Sequence, residues 1–368
     1  MIFEQKRLDE LGTIITGKTP STKNEEFWDG KIPFVTPKDI QGTKHIFETE
    51  RYITHKGLNS VKGARLPIGA ICVSCIGNIG YLGITMHECV SNQQINSLIV
   101  NGDNDKDYVY YLLKNMWPYF KNYEGQSTTL SILNKTQFSK IIVEVPSLPN
   151  QKKIASILSK IDDKIELNNK INNNLYEQAV ALFNNDFPDI FSGNKAVGDY
   201  IVPKRGKSLL SKDAVLGKVP VVAGGLEPST YHNVSNTTAP VITISASGAN
   251  AGYVNLWHTP VWSSDSSFID AKMTPYVYFW YILLKKRQKE IYDSQTGSAQ
   301  PHIYPQHIAS IEIQELNLEK VNTFESQVKA IFELIGHNIV ENSSLIEARN
   351  TLLPKLISGE IDVTDFDI

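Results

Sequence analysis

Apolar residues recur at alternating spacings of four and three along two long stretches of the chain. The first stretch runs through Ile154, Leu158, Ile161, Ile165, Asn168, Asn172, Leu175, Ala179 and Leu182. Adding 170 to each number gives Phe324, Val328, Ile331, Ile335, Asn338, Asn342, Leu345, Arg349 and Leu352. This spacing is typical of the a and d positions of a coiled coil. The sequence therefore predicts two matching helices, and each is the obvious partner of the other.

Both helical stretches carry two asparagines at their midpoint. In an antiparallel pair, Asn168 and Asn172 would lie opposite Asn338 and Asn342. A parallel pair stays possible, because a globular segment between the helices permits either direction. A polar residue at an a or d position costs stability and is best known for fixing register. We interpret the four asparagines as register residues; the alternative is a frayed or bent stretch.

The segments that precede the helices also repeat. The letters YVYYLL from Tyr108 return as YVYFWY from Tyr276, and the stretch from Glu124 resembles the one from Thr296. Residues 66–85 and 237–256 share an alternating apolar strand, a small-residue turn with glycine and a second strand. The sequence predicts a duplicated α+β chain, in which each strand-rich half is followed by a long helix. We expect the aromatic stretches to be helices packed on a sheet.

Composition excludes several classes of protein. The 368 residues are 41% hydrophobic and 20% charged, and no apolar run approaches the ~18–20 residues needed to cross a bilayer. The first ten residues, MIFEQKRLDE, do not resemble a secretory signal, and three cysteines are too few for a disulfide framework. We therefore expect a cytoplasmic protein. The net charge of −3 hides local clusters of lysine and arginine, which suit either a phosphate-binding surface or an ordinary solvated one.

Two motifs suggest chemistry that their context contradicts. Residues 12–19, GTIITGKT, match the P-loop pattern, but a polar segment precedes them and Pro20 follows at once, so the strand and helix of a nucleotide site are not expected. Cys72 and Cys75 lie in an alternating strand, where their thiols should face opposite sides, and we expect buried cysteines and no metal site. The sequence also lacks the glycine-rich loop and the Pro-Pro-aromatic motif of adenine methyltransferases.

Several segments together resemble the specificity (S) subunit of type I restriction-modification systems. LPNQKKIASILSKIDDKIELNNKI from Leu148 is similar to the central helix of that family, and LLPKLISGEI from Leu352 is similar to its C-terminal sequence. GKTPS from Gly17 and IPFVTPKDI from Ile32 resemble the opening of a target-recognition domain. The second half begins VGDYIVPKRGKSLL and lacks the Thr-Pro of the first. The resemblance covers the whole chain through the order of its parts.

The resemblance implies a fold and a set of domains. The fold would be α+β, with two pseudo-repeated strand-rich target-recognition domains separated by a long antiparallel helical coiled coil. The N-terminal recognition domain would comprise residues 1–150, and the central helix and linker residues 151–194. The C-terminal recognition domain would comprise residues 195–316, and the second helix and tail residues 317–368. The helical stretches from the first to the last a or d position have 29 residues and would be ~43 Å long, comparable with the ~34 Å between half-sites one DNA turn apart.

The implied function is non-catalytic reading of a bipartite DNA target. Two modification subunits, which carry the adenine methyltransferase, would dock on the helices, and restriction subunits could join them. This chain would bind no cofactor, because S-adenosylmethionine and ATP with Mg would belong to the partner subunits. Two other hypotheses stay open: a P-loop NTPase with a coiled-coil arm, and a DNA-binding coiled-coil protein of a related defence methylation system.

Polar loops of both halves are the candidates for DNA contact. Lysine and arginine would bind phosphates, while amides and hydroxyls would read base edges. The candidates in the first half are Lys18, Thr19, Ser21, Lys23, Asn24, Thr36, Lys38, Asn92, Gln93, Gln94, Gln126, Ser127 and Thr128. Those in the second half are Lys204, Arg205, Lys207, Ser208, Ser247, Asn250, Ser264, Ser266, Ser298 and Gln300. For each of them the alternative is a purely structural turn.

Overall fold

The computed structural model of the chain describes residues 1–42, 44–125, 131–297 and 301–366. These residues form two compact units. The first contains residues 1–167 and 342–368, and the second contains residues 168–341. Two long helices, α5 (Leu148–Asp186) and α9 (Leu318–Ile357), are each shared between the units. Each unit therefore contains one strand-rich part and one segment of each long helix.

The first unit is built on two antiparallel-rich sheets and a two-stranded ribbon. Its strands are β1 (Phe3–Arg7), β2 (Gly12–Thr16), β3 (Trp28–Val35), β4 (His45–Ile46), β5 (Arg51–Ile53), β6 (Arg65–Leu66), β7 (Ile71–Ser74), β8 (Leu82–Thr85), β9 (Cys89–Ser91), β10 (Ile95–Val100) and β11 (Ile142–Pro146). Its shorter helices are α1 (His55–Ser60), α2 (Lys106–Asn115), α3 (Trp117–Gly125) and α4 (Lys135–Ser139). The strand orders are β2-β10-β7-β8-β4, β5-β3-β9-β6 and β1-β11.

The second unit repeats this plan with shorter strands. They are β12 (Lys195–Ala196), β13 (Lys204–Arg205), β14 (Val219–Val222), β15 (Thr230–His232), β16 (Val241–Ser245), β17 (Val254–Trp257), β18 (Trp262–Ser263), β19 (Ser266–Asp270) and β20 (Glu312–Ile313). Its shorter helices are α6 (Val277–Lys286), α7 (Gln288–Asp293) and α8 (Pro305–Ala309). The strand orders are β13-β19-β16-β17, β15-β14-β18 and β12-β20. Single turns of 3-10 helix lie at Leu8–Glu10, Glu25–Phe27, Lys62–Ala64, Val197–Asp199 and Ser211–Asp213.

Equivalent backbone hydrogen bonds show the duplication directly. The N–H of Gly80 donates to the Ser74 carbonyl at 2.9 Å, and the N–H of Gly252 donates to the Ser245 carbonyl at 2.7 Å. Both glycines have positive φ, of 98° and 90°, which glycine adopts without steric cost. Adjoining these turns, the Leu133 N–H reaches the Cys75 carbonyl, and the Ile303 N–H reaches the Ala246 carbonyl. The predicted pseudo-repeat is confirmed.

The repeated aromatic stretches are the buried helices α2 and α6, as expected. Tyr108, Tyr110 and Tyr111 are at most 2% exposed and belong to the core of the first unit. Phe279 and Trp280 occupy the corresponding core of the second. The two helices begin 171 residues apart, whereas the letter match lies at 168. The match is therefore about one helical turn out of register, a shift that leaves the aromatic face in place.

The two long helices pair antiparallel. In the second unit, Asn338 Nδ2 donates to Asn172 Oδ1 at 2.7 Å, and the rings of Phe183 and Phe324 lie 5.6 Å apart. The beginning of the α5 segment therefore contacts the end of the α9 segment, and the end of the α5 segment contacts the beginning of the α9 segment. Asn168 Nδ2 donates to Glu341 at 2.7 Å. The predicted antiparallel coiled coil is confirmed, while the proposed register role of the four asparagines stays a prediction.

The P-loop-like segment and the pair of cysteines form ordinary structural elements. Gly12–Thr16 is strand β2, paired with β10, so the first part of the P-loop pattern lies in a sheet and not in a phosphate-binding turn. Cys72 and Cys75 are both buried, in different apolar clusters. Among the described residues, no helix combines the length and apolarity needed to cross a membrane.

Candidate nucleic-acid interface

A glycine turn after β2 begins the candidate surface of the first unit. The Gly17 N–H donates to the Ile95 carbonyl at 3.0 Å. A Cβ at this position would lie 2.0 Å from the Asn92 carbonyl oxygen, so only glycine fits. Lys18 follows at once and is exposed, and Thr19 Oγ1 donates to Gln93 Oε1 at 2.6 Å. This turn therefore brings residues 18–24 beside residues 91–94.

The loop that contains the predicted residues Thr36 and Lys38 joins the same place. Strands β3 and β9 are parallel, with Val35 opposite Ser91, so that the residues after both strands lie together. The Asn92 N–H donates to the Val35 carbonyl at 2.9 Å. Thr36 donates through its N–H and its hydroxyl to Asp39, each at 2.7 Å. The loops formed by residues 18–24, 36–39 and 91–94 therefore converge on one edge of the sheet.

Some side chains of these loops form hydrogen bonds or ion pairs within the protein, and others are exposed and free to contact a ligand. Asn24 caps the turn at Glu25–Phe27, and the buried Asn92 is hydrogen-bonded to Gln94. Lys38 lies 3.5 Å from Glu50, and both side chains are exposed. Among the predicted contact residues of these loops that the structure describes, Lys18, Ser21 and Lys23 have side chains with no hydrogen bond or ion pair, and all three are exposed. Gln126, Ser127 and Thr128 lie outside the described residues.

The structure adds a basic residue that the sequence analysis missed. Lys62, in the 3-10 turn Lys62–Ala64, lines an open pocket of about 340 Å³ with Thr16 and Lys18. Lys62 is exposed and lies 44 positions from Lys18 in the sequence. No local pattern links two such distant lysines, and only the packing of the turn against β2 brings them to one pocket. Together they form a site suited to an anion such as a phosphate.

The second unit builds its candidate surface on an equivalent turn. The Gly206 N–H donates to the Ser266 carbonyl at 2.8 Å, and a Cβ there would lie 2.4 Å from the Ser263 carbonyl oxygen. Lys207 follows Gly206 as Lys18 follows Gly17, and its side chain is exposed. Lys204 and Ser208 on either side are exposed as well. Each unit thus presents a lysine directly after a glycine that cannot be replaced without a clash.

An ion pair organises the rest of this surface. Arg205 Nη2 lies 2.6 Å from Asp265 Oδ1, and the Ser247 hydroxyl donates to the same carboxylate. Three of the predicted loops, those around residues 204–208, 247–250 and 264–267, therefore meet at Asp265. Asn250 is half-buried, and its carbonyl accepts the N–H of Tyr253 at 2.9 Å in the turn.

Two predicted reading residues of the second unit are buried in the sheet. Ser266 is fully buried, with its hydroxyl 2.7 Å from that of Ser263. Ser264 is 6% exposed, and its hydroxyl accepts the Leu209 N–H at 2.9 Å. Both hydroxyls hold strands and loops together in this structure. Ser298 and Gln300 lie outside the described residues.

The cysteines are not arranged as metal ligands. Burial raises the pKa of the Cys72 and Cys75 thiols to about 12, which disfavours the thiolate form that binds metal. Across residues 1–42, 44–125, 131–297 and 301–366, no group of three or more histidine, cysteine, aspartate or glutamate side chains could hold a metal ion.

Comparison with known proteins identifies a family. The family model described as "Type I restriction modification DNA specificity domain" matches residues 3–177. The MjaIX specificity subunit of Methanocaldococcus jannaschii, a type I restriction enzyme subunit, is 28% identical over 99% of this chain and 94% of its own. The HindI specificity subunit of Haemophilus influenzae is 36% identical over 43% of this chain and 36% of its own.

A solved structure shows the same fold. The S subunit of a type I restriction-modification system from M. genitalium superposes with a TM-score of 0.62 at 18% identity, covering 97% of this chain and 96% of that one. The strand-rich duplicated units and the antiparallel helices agree with this likeness. None of these similarities points to an NTPase. Residues 3–177 thus match the DNA specificity domain of type I restriction-modification systems, and the chain is similar over nearly its whole length to a non-catalytic specificity subunit of such a system.

Proposed function

We propose that each unit reads one half of a bipartite DNA target through the loops around its glycine-lysine turn. The observation that carries this proposal is the equivalence of Gly17-Lys18 and Gly206-Lys207. In each unit the glycine N–H donates to the first residue of an equivalent strand, and an exposed lysine comes next. Exposed lysines at these turns suit contacts with phosphates, which position a protein on DNA. Neighbouring amides and hydroxyls suit hydrogen bonds to base edges.

The residues that we assign to this role are predicted residues that the structure leaves at least partly exposed, together with Lys62. In the first unit they are Lys18, Thr19, Ser21, Lys23, Lys38, Gln93 and Lys62, and in the second they are Lys204, Arg205, Lys207, Ser208 and Ser247. Lysines on phosphates would raise affinity for every sequence and make it depend on salt. The differing polar side chains of the two units would give each half-site its own sequence.

We propose the partner subunits of the same type of complex. Two modification subunits would dock on the helical part, methylating one adenine in each half-site, and restriction subunits would join this complex. S-adenosylmethionine, ATP and Mg would be bound by those partners, and this chain would bind none of them. The complex would act in the cytoplasm, where the DNA is.

A domain exchange tests the modular reading. Residues 1–150, the proposed N-terminal recognition domain, are replaced by the corresponding residues of a relative, and the methylated motif is determined by methylome sequencing. We expect one half-site to change and the other to stay. Because Leu356 and Val363 lie in the core of the first unit, a second chimera also carries residues 342–368 of the relative, to preserve packing. A motif in which both halves change in both chimeras would contradict the proposal.

A further inference from the structure

The second unit exposes aliphatic side chains in a segment that has no aliphatic counterpart in the first. Residues 206–218 lead from the Gly206 turn to β14. Within this 206–218 segment, Leu210 is 56% exposed, Val215 is 55% exposed and Leu216 is 94% exposed. The segment after the equivalent turn of the first unit, residues 18–24, reads KTPSTKN and contains no aliphatic side chain other than the buried Pro20. The two candidate reading surfaces therefore differ in chemistry.

The exposure of Leu216 is imposed by its two neighbours. The Val215 N–H donates to His232 Nδ1 at 2.9 Å. On the other side, a Cβ at Gly217 would lie 2.2 Å from the His232 carbonyl oxygen, so this backbone packs directly on β15. His232 is itself 7% exposed, with its ring edge-on to Trp262 at 5.2 Å. The backbone is thus fixed on both sides of Leu216, and the side chain is held outward.

The charges around Leu216 indicate what covers it. Residues 204–218 contain five lysines and arginines and one acidic residue, in a chain whose net charge is −3. Lys207, Lys212 and Lys218 are exposed, and none has an ion pair within the described part of the chain. An exposed aliphatic side chain in a segment rich in unpaired cations complements a polyanion that also offers an apolar group. In the major groove of DNA, the 5-methyl group of thymine is such a group.

We propose that Leu216 reads a thymine in the second half-site by contact with its 5-methyl group, while the lysines of the 206–218 segment bind the flanking phosphates. This inference rests on the proposed DNA-reading role of the second unit. It specifies that an A·T pair of that half-site is recognised through its methyl group rather than through a hydrogen bond. The first half-site, by contrast, is read by polar side chains.

The test removes the methyl group from the DNA. The full chain in complex with its modification subunits is titrated with duplexes in which each thymine of the second half-site is replaced in turn by uracil. We expect one replacement to weaken binding about four-fold, which corresponds to ~0.8 kcal/mol for one buried methyl group. Leu216→Ala should bind the thymine and uracil duplexes equally. Ile68→Ala, a control at a 67% exposed position of the first unit, should keep the four-fold difference.

Two further variants keep the result interpretable. Leu216→Met, which preserves an apolar side chain, should retain a preference for thymine, whereas Lys218→Gln should weaken both duplexes equally and reduce the dependence on salt. The inference is wrong if no uracil replacement affects the wild-type complex, or if Leu216→Ala keeps the full difference. It is also wrong if Leu216→Ala impairs assembly with the modification subunits and leaves thymine preference unchanged. The domain exchange can succeed in each of these cases, so the two proposals fail separately.

Discussion

Arg349 forms a buried ion pair with Asp162, in a place where the second unit has no charge. Arg349 Nη1 lies 2.6 Å from Asp162 Oδ1, and the side chains are 14% and 5% exposed. The Tyr111 hydroxyl donates to the same carboxylate at 2.7 Å. Positions 170 residues away in the repeat are Ala179 and Phe332, both buried in the apolar core of the second unit. At equivalent positions, the paired helices of the two units are therefore held by different interactions.

The ion pair predicts an asymmetric response to mutation. Arg349→Ala leaves the buried carboxylate of Asp162 without its cation and should lower the free energy of unfolding of the first unit by about 3–5 kcal/mol. The variant that combines Arg349→Ala, Asp162→Phe and Tyr111→Phe transfers the apolar pair of the second unit and removes the Tyr111 hydroxyl, which would otherwise lose the Asp162 carboxylate as its acceptor. We expect it to recover most of the loss in urea unfolding. An equal loss in the combined variant would contradict this account.

The C-terminal tail predicts a long-range effect on the first unit. Leu356 is 1% exposed and Val363 is fully buried, in one cluster with core residues of the N-terminal strands and α2. Leu356→Ala should destabilise that core by about 2–5 kcal/mol. Limited proteolysis should then cut within residues 1–146 while the second unit stays resistant. Phe366→Ala, at a 42% exposed position, is the control and should leave the digestion pattern unchanged.

Two partly buried groups of the second unit predict opposite dependences of stability on pH. Burial lowers the pKa of His258, which packs against Gly336, from 6.5 to about 4. Between these values the unfolded chain binds more protons, so this group makes stability rise with pH. Burial raises the pKa of Glu325, which accepts the N–H groups of Tyr278 and Phe279, from 4.5 to about 7. Here the folded chain binds more protons, and stability falls as pH rises.

The two effects oppose each other between about pH 4.5 and 6.5, and single variants should separate them. In His258→Gln, the stability of the second unit should fall as pH rises through this range, because only the Glu325 effect remains. In Glu325→Gln, it should rise. Urea unfolding at pH 4.5, 5.5 and 6.5 measures both slopes, and slopes of the same sign in the two variants would show that other groups dominate.

The long helices were the most predictable part of the fold, and the reading loops the least. Apolar positions at spacings of four and three can be recognised from local periodicity alone, and the antiparallel contact of Asn172 with Asn338 agrees with the helices that they predict. The exposure of a loop serine depends instead on which strand packs over it. Ser264 and Ser266 look like polar loop residues in the sequence but are buried beside β18 and β19. Lys62 joins Lys18 only through tertiary packing, which no local pattern encodes.

The helix pair predicts how the gap between half-sites is set. Four residues inserted after Leu167 in α5, together with four after Glu341 in α9, lengthen both helices at facing positions where each helix passes from one unit to the other, because the antiparallel contacts join residues whose numbers sum to about 510. A four-residue insertion unwinds a coiled coil locally but preserves its seam. It adds about 6 Å at ~1.5 Å per residue, somewhat under two base pairs at ~3.4 Å each. Single-molecule methylation sequencing should show unchanged half-sites and a longer spacer.

An insertion in one helix alone serves as the matched control. Four residues added only after Leu167 put the two segments of α5 out of step with α9, so that the contacts of Asn172 with Asn338 and of Asp162 with Arg349 can no longer form together. This variant should lose stability rather than give a cleanly longer spacer, because the apolar core of each unit includes residues of both helices. Thermal unfolding would distinguish it from the matched variant. If the matched variant folds and methylates with the original spacer, the length of the helices does not set the distance between the half-sites.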